Sequence, residues 1–167
     1  MAEISHPLDK IKTLTELGSL VAAARAAGKR VALANGCFDL LHVGHVRYLQ
    51  AARALADTLI VAINDDSSVR LLKGEARPLQ DQLDRAEILA SLACVDFVVI
   101  FDTPTVAPVL EELQPDFHAK GTDYSEETVP ERQTVASYGG RTVIVGDRKS
   151  HSSRDLIARI TSNARPR

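Results

Sequence analysis

The segment Asn35-Gly-Cys-Phe-Asp-Leu-Leu-His-Val-Gly-His45 holds two histidines three residues apart, where an apolar run gives way to a helical pattern. At that spacing across a helix start, the rings of His42 and His45 can face one point. The free amides of the first helical turn and the helix dipole favour an anion there. Gly36 and Gly44 let a ligand approach the backbone closely. Two imidazoles that each donate one N–H suit a phosphate that gains negative charge as it leaves.

Other interpretations of this segment stay open. A single histidine at a helix start is most often a cap or a surface residue, although two of them around Gly44 weaken that interpretation. Cys37 with His42 and His45 could bind zinc, but the sequence shows neither a Cys-x-x-Cys pair nor an evident fourth ligand. Nothing selects Cys37 as a nucleophile. The dinucleotide fingerprint and the P-loop are both absent, which argues against hydride transfer and a Walker-type NTPase.

The elements that would position these residues follow a regular alternation. Strands are predicted at 31–34, 59–63, 95–100, 117–119 and 142–145, and helices at 14–27, 43–56, 81–92, 105–113 and from about Ser153. Gly28 is the expected stop of the first helix. Leu83, Ala86, Leu89 and Leu92 would form the apolar stripe of the third helix, and Leu156, Ile157 and Ile160 that of the last. The alternation predicts an α/β fold with a parallel sheet of about five strands between helices, and a ligand site beyond the strands' carboxyl ends.

Composition excludes several classes of protein. The chain has 167 residues, which predicts one domain, and its formal charge of −2 lacks the basic excess typical of a general nucleic-acid binder. No apolar run approaches the roughly 20 residues that cross a bilayer, and residues 1–10 lack the apolar stretch of a signal peptide. Cys37 and Cys94 are too few for a disulfide framework, which suits a reducing cytoplasm. The sequence therefore predicts a cytoplasmic protein with neither nucleic acid nor membrane as a partner.

The histidine segment resembles the signature of the cytidylyltransferase-like nucleotidyltransferases, in which Gly-x-Phe-Asp leads into His-x-Gly-His. The resemblance extends from about Arg30 to Ile160 and is greatest to the adenylyltransferases of ADP-heptose synthesis, in a stand-alone form without a sugar kinase domain. The similar segments are Asn64-Asp-Asp66, Lys73-Gly-Glu-Ala-Arg-Pro78, Asp84-Arg85, Val95-Asp-Phe97, Lys120-Gly-Thr-Asp-Tyr124 and Tyr138-Gly-Gly140. The resemblance implies a Rossmann-like three-layer sandwich. It divides the chain into an N-terminal helical extension (1–29), a nucleotidyltransferase domain (30–163) and a tail (164–167).

The resemblance also implies a reaction. AMP would pass from ATP to D-glycero-β-D-manno-heptose 1-phosphate, whose phosphate oxygen attacks the α-phosphorus in line and gives ADP-heptose, a lipopolysaccharide precursor, and pyrophosphate. Mg²⁺ would bridge phosphate oxygens instead of occupying an all-protein metal site. Family analogy further implies a homodimer. Two alternatives stay open: a cytidylyltransferase for glycerol 3-phosphate or ethanolamine phosphate, and a non-catalytic nucleotide-binding regulatory module. The two histidines and the cations favour catalysis.

The residues that would carry this reaction fall into three sets, and no metal ligands are expected. The catalytic set is His42, His45, Lys73 and Arg85. The nucleotide-binding set is Asn35, Gly36, Cys37, Phe38, Asp39, His42, Gly44, His45, Lys120, Ser152 and Ser153. The substrate-binding set is Asn64, Asp65, Lys73, Arg77, Arg85, Gly121, Asp123 and Tyr124.

Five positions depart from the family pattern or lie outside it. Thr122 stands where the heptose branch commonly has Gly, and Arg154 replaces the third hydroxyl of a Ser-Thr-Thr-like motif at the start of the last helix. Arg47, close after the second histidine, occupies the place of a Lys common in related cytidylyltransferases, and it could equally be a plain surface residue. His6 and His118 have no supporting constellation and receive no role.

Overall fold

The computed structural model describes residues 6–147 and 153–163. Its sheet has five parallel strands in the order β3-β2-β1-β4-β5. The strands are β1 (Val31–Gly36), β2 (Thr58–Asn64), β3 (Phe97–Phe101), β4 (Phe117–Gly121) and β5 (Arg141–Val145). The strand order reverses between β1 and β4, which pair with Ala34 opposite Ala119. The α/β prediction of a parallel five-stranded sheet is therefore confirmed, and ligands of such sheets bind at that reversal.

Seven α-helices connect and cover the strands in the described part of the chain. They are α1 (Leu14–Ala26), α2 (Val43–Arg53), α3 (Asp66–Lys73), α4 (Gln82–Ala90), α5 (Ala107–Leu113), α6 (Arg132–Ser137) and α7 (Ser153–Asn163). None of the described helices is long and apolar enough to cross a bilayer. Helices α3 and α6 are additions to the sequence prediction, and α2, α4 and α5 are each shorter by two or more residues than predicted.

The two faces of the sheet carry separate apolar clusters. Ala32 and Ala34 of β1 pack with Leu49 of α2 and Leu89 of α4 on one face. The alternate residue, Leu33, packs on the other face with residues of α1, α5 and α6. This alternation along one strand is the two-residue period of a β-strand, and it gives the predicted three-layer sandwich.

Capping residues at both ends of α1 explain why this helix begins and ends close to its predicted limits. Thr13 caps α1 by accepting from the Glu16 amide, while the Glu16 carboxylate accepts from the Thr13 amide. Gly28 follows its end with a positive φ of 72°, which confirms the predicted stop. Leu17 is fully buried between α1 and the sheet, so α1 belongs to the same core as the strands. The division of the chain at residue 30 stays a prediction.

Two of the predicted apolar stripes are wrong in part. Leu83 is 65% exposed, and the buried face of α4 instead carries Arg85, Ala86, Leu89 and Ala90. Helix α4 is rotated so that the Arg85 guanidinium faces inward, where several backbone carbonyls accept from it. Ile160 of α7 is 61% exposed and is no part of the core.

Candidate active site

The carboxyl end of β1 leads directly into the histidine segment. Phe38 has a positive φ of 46°, a conformation that non-glycine residues rarely adopt, and its ring is buried under the loop. The chain then enters α2, with His42 at the N-cap position in extended conformation. The His42 side chain makes no capping bond to the helix amides. The N-terminus of α2 therefore keeps amide donors for another acceptor.

The two histidine rings lie against each other. Their centroids are 3.9 Å apart and their planes differ by 20°. Phe38 contacts the His45 ring edge-on at 5.2 Å and fixes it from the side of the core. Burial, and then the neighbouring His42, lower the pKa of His45 to about 4. At neutral pH the His45 ring is therefore uncharged and can donate one N–H, as the sequence interpretation requires.

Asp39 holds a second loop, at residues 77–80. Its buried carboxylate accepts from the Leu79 amide at 2.7 Å and from the Gln80 amide at 3.1 Å. The Arg77 guanidinium forms an ion pair with the same carboxylate. Arg77 precedes Pro78 across a cis peptide bond. The predicted nucleotide contact of Asp39 would thus act through the shape of the 77–80 loop, because three donors already occupy the carboxylate.

Arg85 lies beneath the site. It is 1% exposed, and its guanidinium donates to the carbonyls of Cys37 (2.7 Å), Asn64 (2.9 Å) and Gln80 (3.1 Å) and to the Asp66 carboxylate (2.7 Å). These bonds join the carboxyl end of β2, the histidine segment and the loop before α4. Through these bonds Arg85 positions the loops around the site, and its predicted contact with substrate stays a prediction.

Of the other predicted site residues after β2, some lie at the protein surface and others support the local backbone. Lys73 is exposed at the end of α3. Burial raises the pKa of the Cys37 thiol, while the charges of Lys73, Arg85 and Arg77 lower it, so these cations lie near the histidine segment. Asn64 is buried, and its side-chain oxygen accepts from the Cys37 thiol at 3.7 Å. Asp65 caps α3 by accepting from the Ser68 amide at 2.8 Å.

The carboxyl end of β4 brings a buried cation to the same edge. The Lys120 ammonium lies 3.3 Å from the Asn35 side-chain oxygen and 4.6 Å from the centre of the Tyr124 ring. Burial lowers the pKa of Lys120, and the negative charge of Glu131 opposes this shift. Gly121 ends β4, and Asp123 lies exposed in the turn that follows. The predicted Lys120 loop and the β1 loop therefore meet where the strand order reverses.

The last helix reaches the histidine segment from the far end of the sequence. The Ser153 hydroxyl donates to the Leu40 carbonyl at 2.8 Å. Ser152 lies outside the described residues, and so does the side chain of Arg154. After β5, Gly146 has a φ of +95°, and a Cβ there would stand 3.3 Å from the Tyr48 Cα. A side chain at this position would be strained by the positive φ and crowded by α2.

Sequence reasoning missed three residues that support the site. His118 and Glu131 are buried polar residues on either side of Lys120 in the sequence, and the Tyr48 hydroxyl donates to the Ala119 carbonyl at 2.7 Å. A histidine inside a predicted apolar strand was the available signal for His118, because a buried imidazole needs a polar partner. Among the described residues, no group of three His, Cys, Asp or Glu side chains is placed to hold a metal ion.

This fold and this histidine pair define the class of protein. The parallel sheet and the stacked histidine pair at the first helix after β1 agree with the Rossmann-like nucleotidyltransferase expected from the sequence. The chain belongs to the cytidylyltransferase-like family, whose model matches residues 33–165. The predicted family and enzyme class are thereby confirmed.

Curated relatives align with this chain over nearly its whole length. The chain is 48% identical over 168 residues to the bifunctional protein HldE of Geotalea uraniireducens and 49% identical over 151 residues to that of Geobacter sulfurreducens. These alignments cover 98% and 90% of the chain but 34% and 31% of the relatives. The chain thus spans about a third of the length of the curated relatives it matches.

Two solved structures share the fold. A lipopolysaccharide core biosynthesis protein from Thermoplasma volcanium superposes with a TM-score of 0.60 at 27% identity, over 71% of this chain and 95% of its own. A pantoate-beta-alanine ligase from Francisella tularensis superposes with a TM-score of 0.64 at 16% identity, over 88% of this chain and 72% of its own. At that identity the second likeness shows the fold alone.

Proposed function

We propose that this chain transfers AMP from ATP to the phosphate of D-glycero-β-D-manno-heptose 1-phosphate, giving ADP-heptose and pyrophosphate. The observation that carries the proposal is the stacked pair of His42 and His45 at the amino end of α2. The choice of substrate rests on the motifs shared with the adenylyltransferases of ADP-heptose synthesis. The identity to bifunctional HldE proteins and the likeness to a lipopolysaccharide core biosynthesis protein support that choice.

The proposed step is a direct displacement. An oxygen of the sugar phosphate forms a bond to the α-phosphorus of ATP, and the bond from that phosphorus to the bridging oxygen of pyrophosphate breaks. Neutral His45 donates an N–H to phosphate oxygens as charge develops on the leaving group, and the α2 amides add to this stabilisation. Lys73 and Lys120 reduce the repulsion between the two anionic substrates.

Mg²⁺ belongs to the proposal as a companion of the nucleotide. The described site offers mainly N–H donors and cations, and it lacks a group of three metal-binding side chains. This donor set fits a cation that arrives on the triphosphate and neutralises part of its charge. A cytoplasmic location and a homodimer also belong to the proposal, on composition and on family analogy respectively.

The test is pyrophosphate release. Purified protein is incubated with Mg²⁺ and each of ATP, CTP, GTP and UTP, together with a panel of sugar and polyol phosphates. Release with ATP and the heptose 1-phosphate alone is the expected result, and a His45→Ala preparation gives the background. A preference for CTP with glycerol 3-phosphate or ethanolamine phosphate would replace the proposal with the cytidylyltransferase alternative. Nucleotide binding without turnover for every pair would favour the regulatory module.

A further inference from the structure

A fully buried histidine stands behind the predicted nucleotide site. His118 of β4 is 0% exposed, and its Nε2 lies 2.9 Å from the side-chain oxygen of Asn35. The ammonium of Lys120 lies 3.3 Å from the same oxygen. His118 and Lys120 are two residues apart in one strand, so they project from the same face of the sheet toward the end of β1.

The arrangement determines how each group is oriented. A lysine ammonium has only donors, so the Asn35 atom that faces Lys120 must be the amide oxygen and not the NH₂. His118 faces that same oxygen and must therefore donate from Nε2–H. The Nδ1 atom of the same ring is buried without a hydrogen-bond partner among the described residues, and burial beside Lys120 disfavours a second proton there because the ring would then be charged. Asn35 can offer only its NH₂ to a ligand.

We propose that His118 is a positioning residue, which fixes the Asn35 amide and the Lys120 ammonium so that both present donors to the phosphates or base of the bound nucleotide. The inference rests on the proposed function, because it takes the nucleotide to bind at these two residues. It assigns a function to a histidine that would be unfavourable as a mere core residue. A leucine would fill similar space without leaving a buried nitrogen unsatisfied.

The location supports a ligand-directed role. Asn35 is the penultimate residue of β1, next to the histidine segment, and Lys120 is the penultimate residue of β4, so the three residues lie where the strand order reverses. Burial, and then the Lys120 charge, lower the pKa of His118 to about 3, in agreement with a neutral ring. Glu131 is the anionic neighbour that acts on Lys120, and one of its oxygens is also buried without a partner among the described residues.

The first experiment needs no catalytic activity. Long-range proton–nitrogen NMR of the wild-type protein identifies the tautomer and charge of each histidine. We expect His118 to be the Nε2–H tautomer at neutral pH. An Nδ1–H tautomer or a doubly protonated ring would overturn the proposal, whatever reaction the protein catalyses.

The second experiment compares two substitutions. His118→Leu removes the donor, and His118→Gln retains an N–H near the position of Nε2. We expect His118→Leu to raise the KM for ATP about tenfold, as for loss of one well-placed polar contact, with kcat little changed, and His118→Gln to restore most of the affinity. Val99→Ala is the matched control, because it creates a cavity in β3, which β2 separates from Asn35, and should leave KM unchanged.

These measurements distinguish failure of the positioning role of His118 from failure of the proposed function. An unchanged KM in His118→Leu would overturn the positioning role, and so would an equal defect in His118→Gln at equal melting temperature. If the wild-type protein releases no pyrophosphate with any substrate pair, the proposed function fails. Calorimetric titration of the same variants with ATP then gives the affinity ratio in place of KM, and the ratio expected is the same.

Discussion

The Arg85 guanidinium donates a 2.7 Å hydrogen bond to the Cys37 carbonyl, 48 residues away in the chain. Through this bond the buried face of α4 holds the segment that carries both candidate catalytic histidines. Because the same guanidinium also bonds Asn64 and Gln80, the carboxyl ends of β1 and β2 and the loop before α4 share one anchor. The positions of His42 and His45 therefore depend on a cation that need not contact the substrate.

Replacing Arg85 with Met should destabilise the fold strongly. The change leaves three backbone carbonyls and the Asp66 carboxylate without the partner they have now. Each buried polar group left unpaired costs about 1–3 kcal/mol, so we expect the free energy of unfolding to fall by about 3–5 kcal/mol in urea titrations. The control is Arg70→Met on the exposed side of α3, which should change the free energy of unfolding by less than about 0.5 kcal/mol. Equal midpoints for the two variants would contradict the anchoring role.

Asp39→Ala should release the loop that Asp39 holds. The Leu79 and Gln80 amides lose their acceptor, and the Arg77 guanidinium loses its ion pair. We expect hydrogen exchange at these two amides to accelerate by at least about tenfold. Asp39→Asn keeps a side-chain oxygen in the same place and should show a smaller acceleration. Exchange that stays at the wild-type rate in Asp39→Ala would show that other contacts hold the loop.

His45→Ala should abolish most turnover without unfolding the protein. Loss of one donor to the developing charge typically lowers kcat by about 10²–10³-fold, and we expect a decrease of that size with little change in melting temperature. The measurement is pyrophosphate release under saturating substrates. His6→Ala provides a control, because His6 is exposed and caps only a short 3₁₀ turn at the amino end. Near-wild-type turnover in His45→Ala would remove His45 from the mechanism.

Stability should depend on pH through one buried histidine, His118, and one partly buried histidine, His45. The pKa values of His45 and His118 are lowered to about 4 and about 3 by burial, and next by the neighbouring His42 and Lys120 respectively. The unfolded chain takes up protons on these rings near pH 6.5, whereas the native chain does not. The free energy of unfolding should therefore fall as the pH is lowered from about 6.5 to about 4, by about 1.4 kcal/mol per pH unit for each histidine.

Urea titrations across this pH range test the prediction directly. His118→Gln removes one of the two histidines. As the pH is lowered over this range, its free energy of unfolding should therefore fall less than that of the wild-type protein. The difference should equal the contribution of one histidine. Identical pH profiles for the two proteins would show that the His118 ring titrates alike in the folded and unfolded states.

The structural features that depend on local sequence pattern could be predicted. Those that require distant segments of the chain to come together could not. The strands and the histidine segment follow from apolar runs and from one dense motif. The sequence pattern predicts no helix at α3, because its first turn, Asp66-Ser-Ser, is typical of turns and because the helix has only eight residues. Its N-cap, Asp65, is evident only once the Ser68 amide is seen to donate to it.

The burial of Arg85 on α4 is another feature that local sequence pattern does not predict. Helical periodicity favours Leu83 for the buried face, since leucine is the more apolar residue. The actual rotation of α4 is determined by carbonyls of Cys37 and Asn64, which come from two other loops. His118 is a comparable case, because its partner Asn35 lies 83 residues away in the sequence. No local pattern contains that information.

The place of β1 between β2 and β4 also affects how the protein is made. On the ribosome, β1 and β2 are complete long before Phe117–Gly121 emerges, so one edge of β1 has no strand to pair with during that interval. An unpaired strand edge invites pairing between neighbouring nascent chains. The arrival of β4 closes this edge and delivers Lys120 to Asn35 at the same moment. Pairing of β4 with β1 would thus protect the nascent chain against aggregation and assemble the proposed nucleotide site in one step.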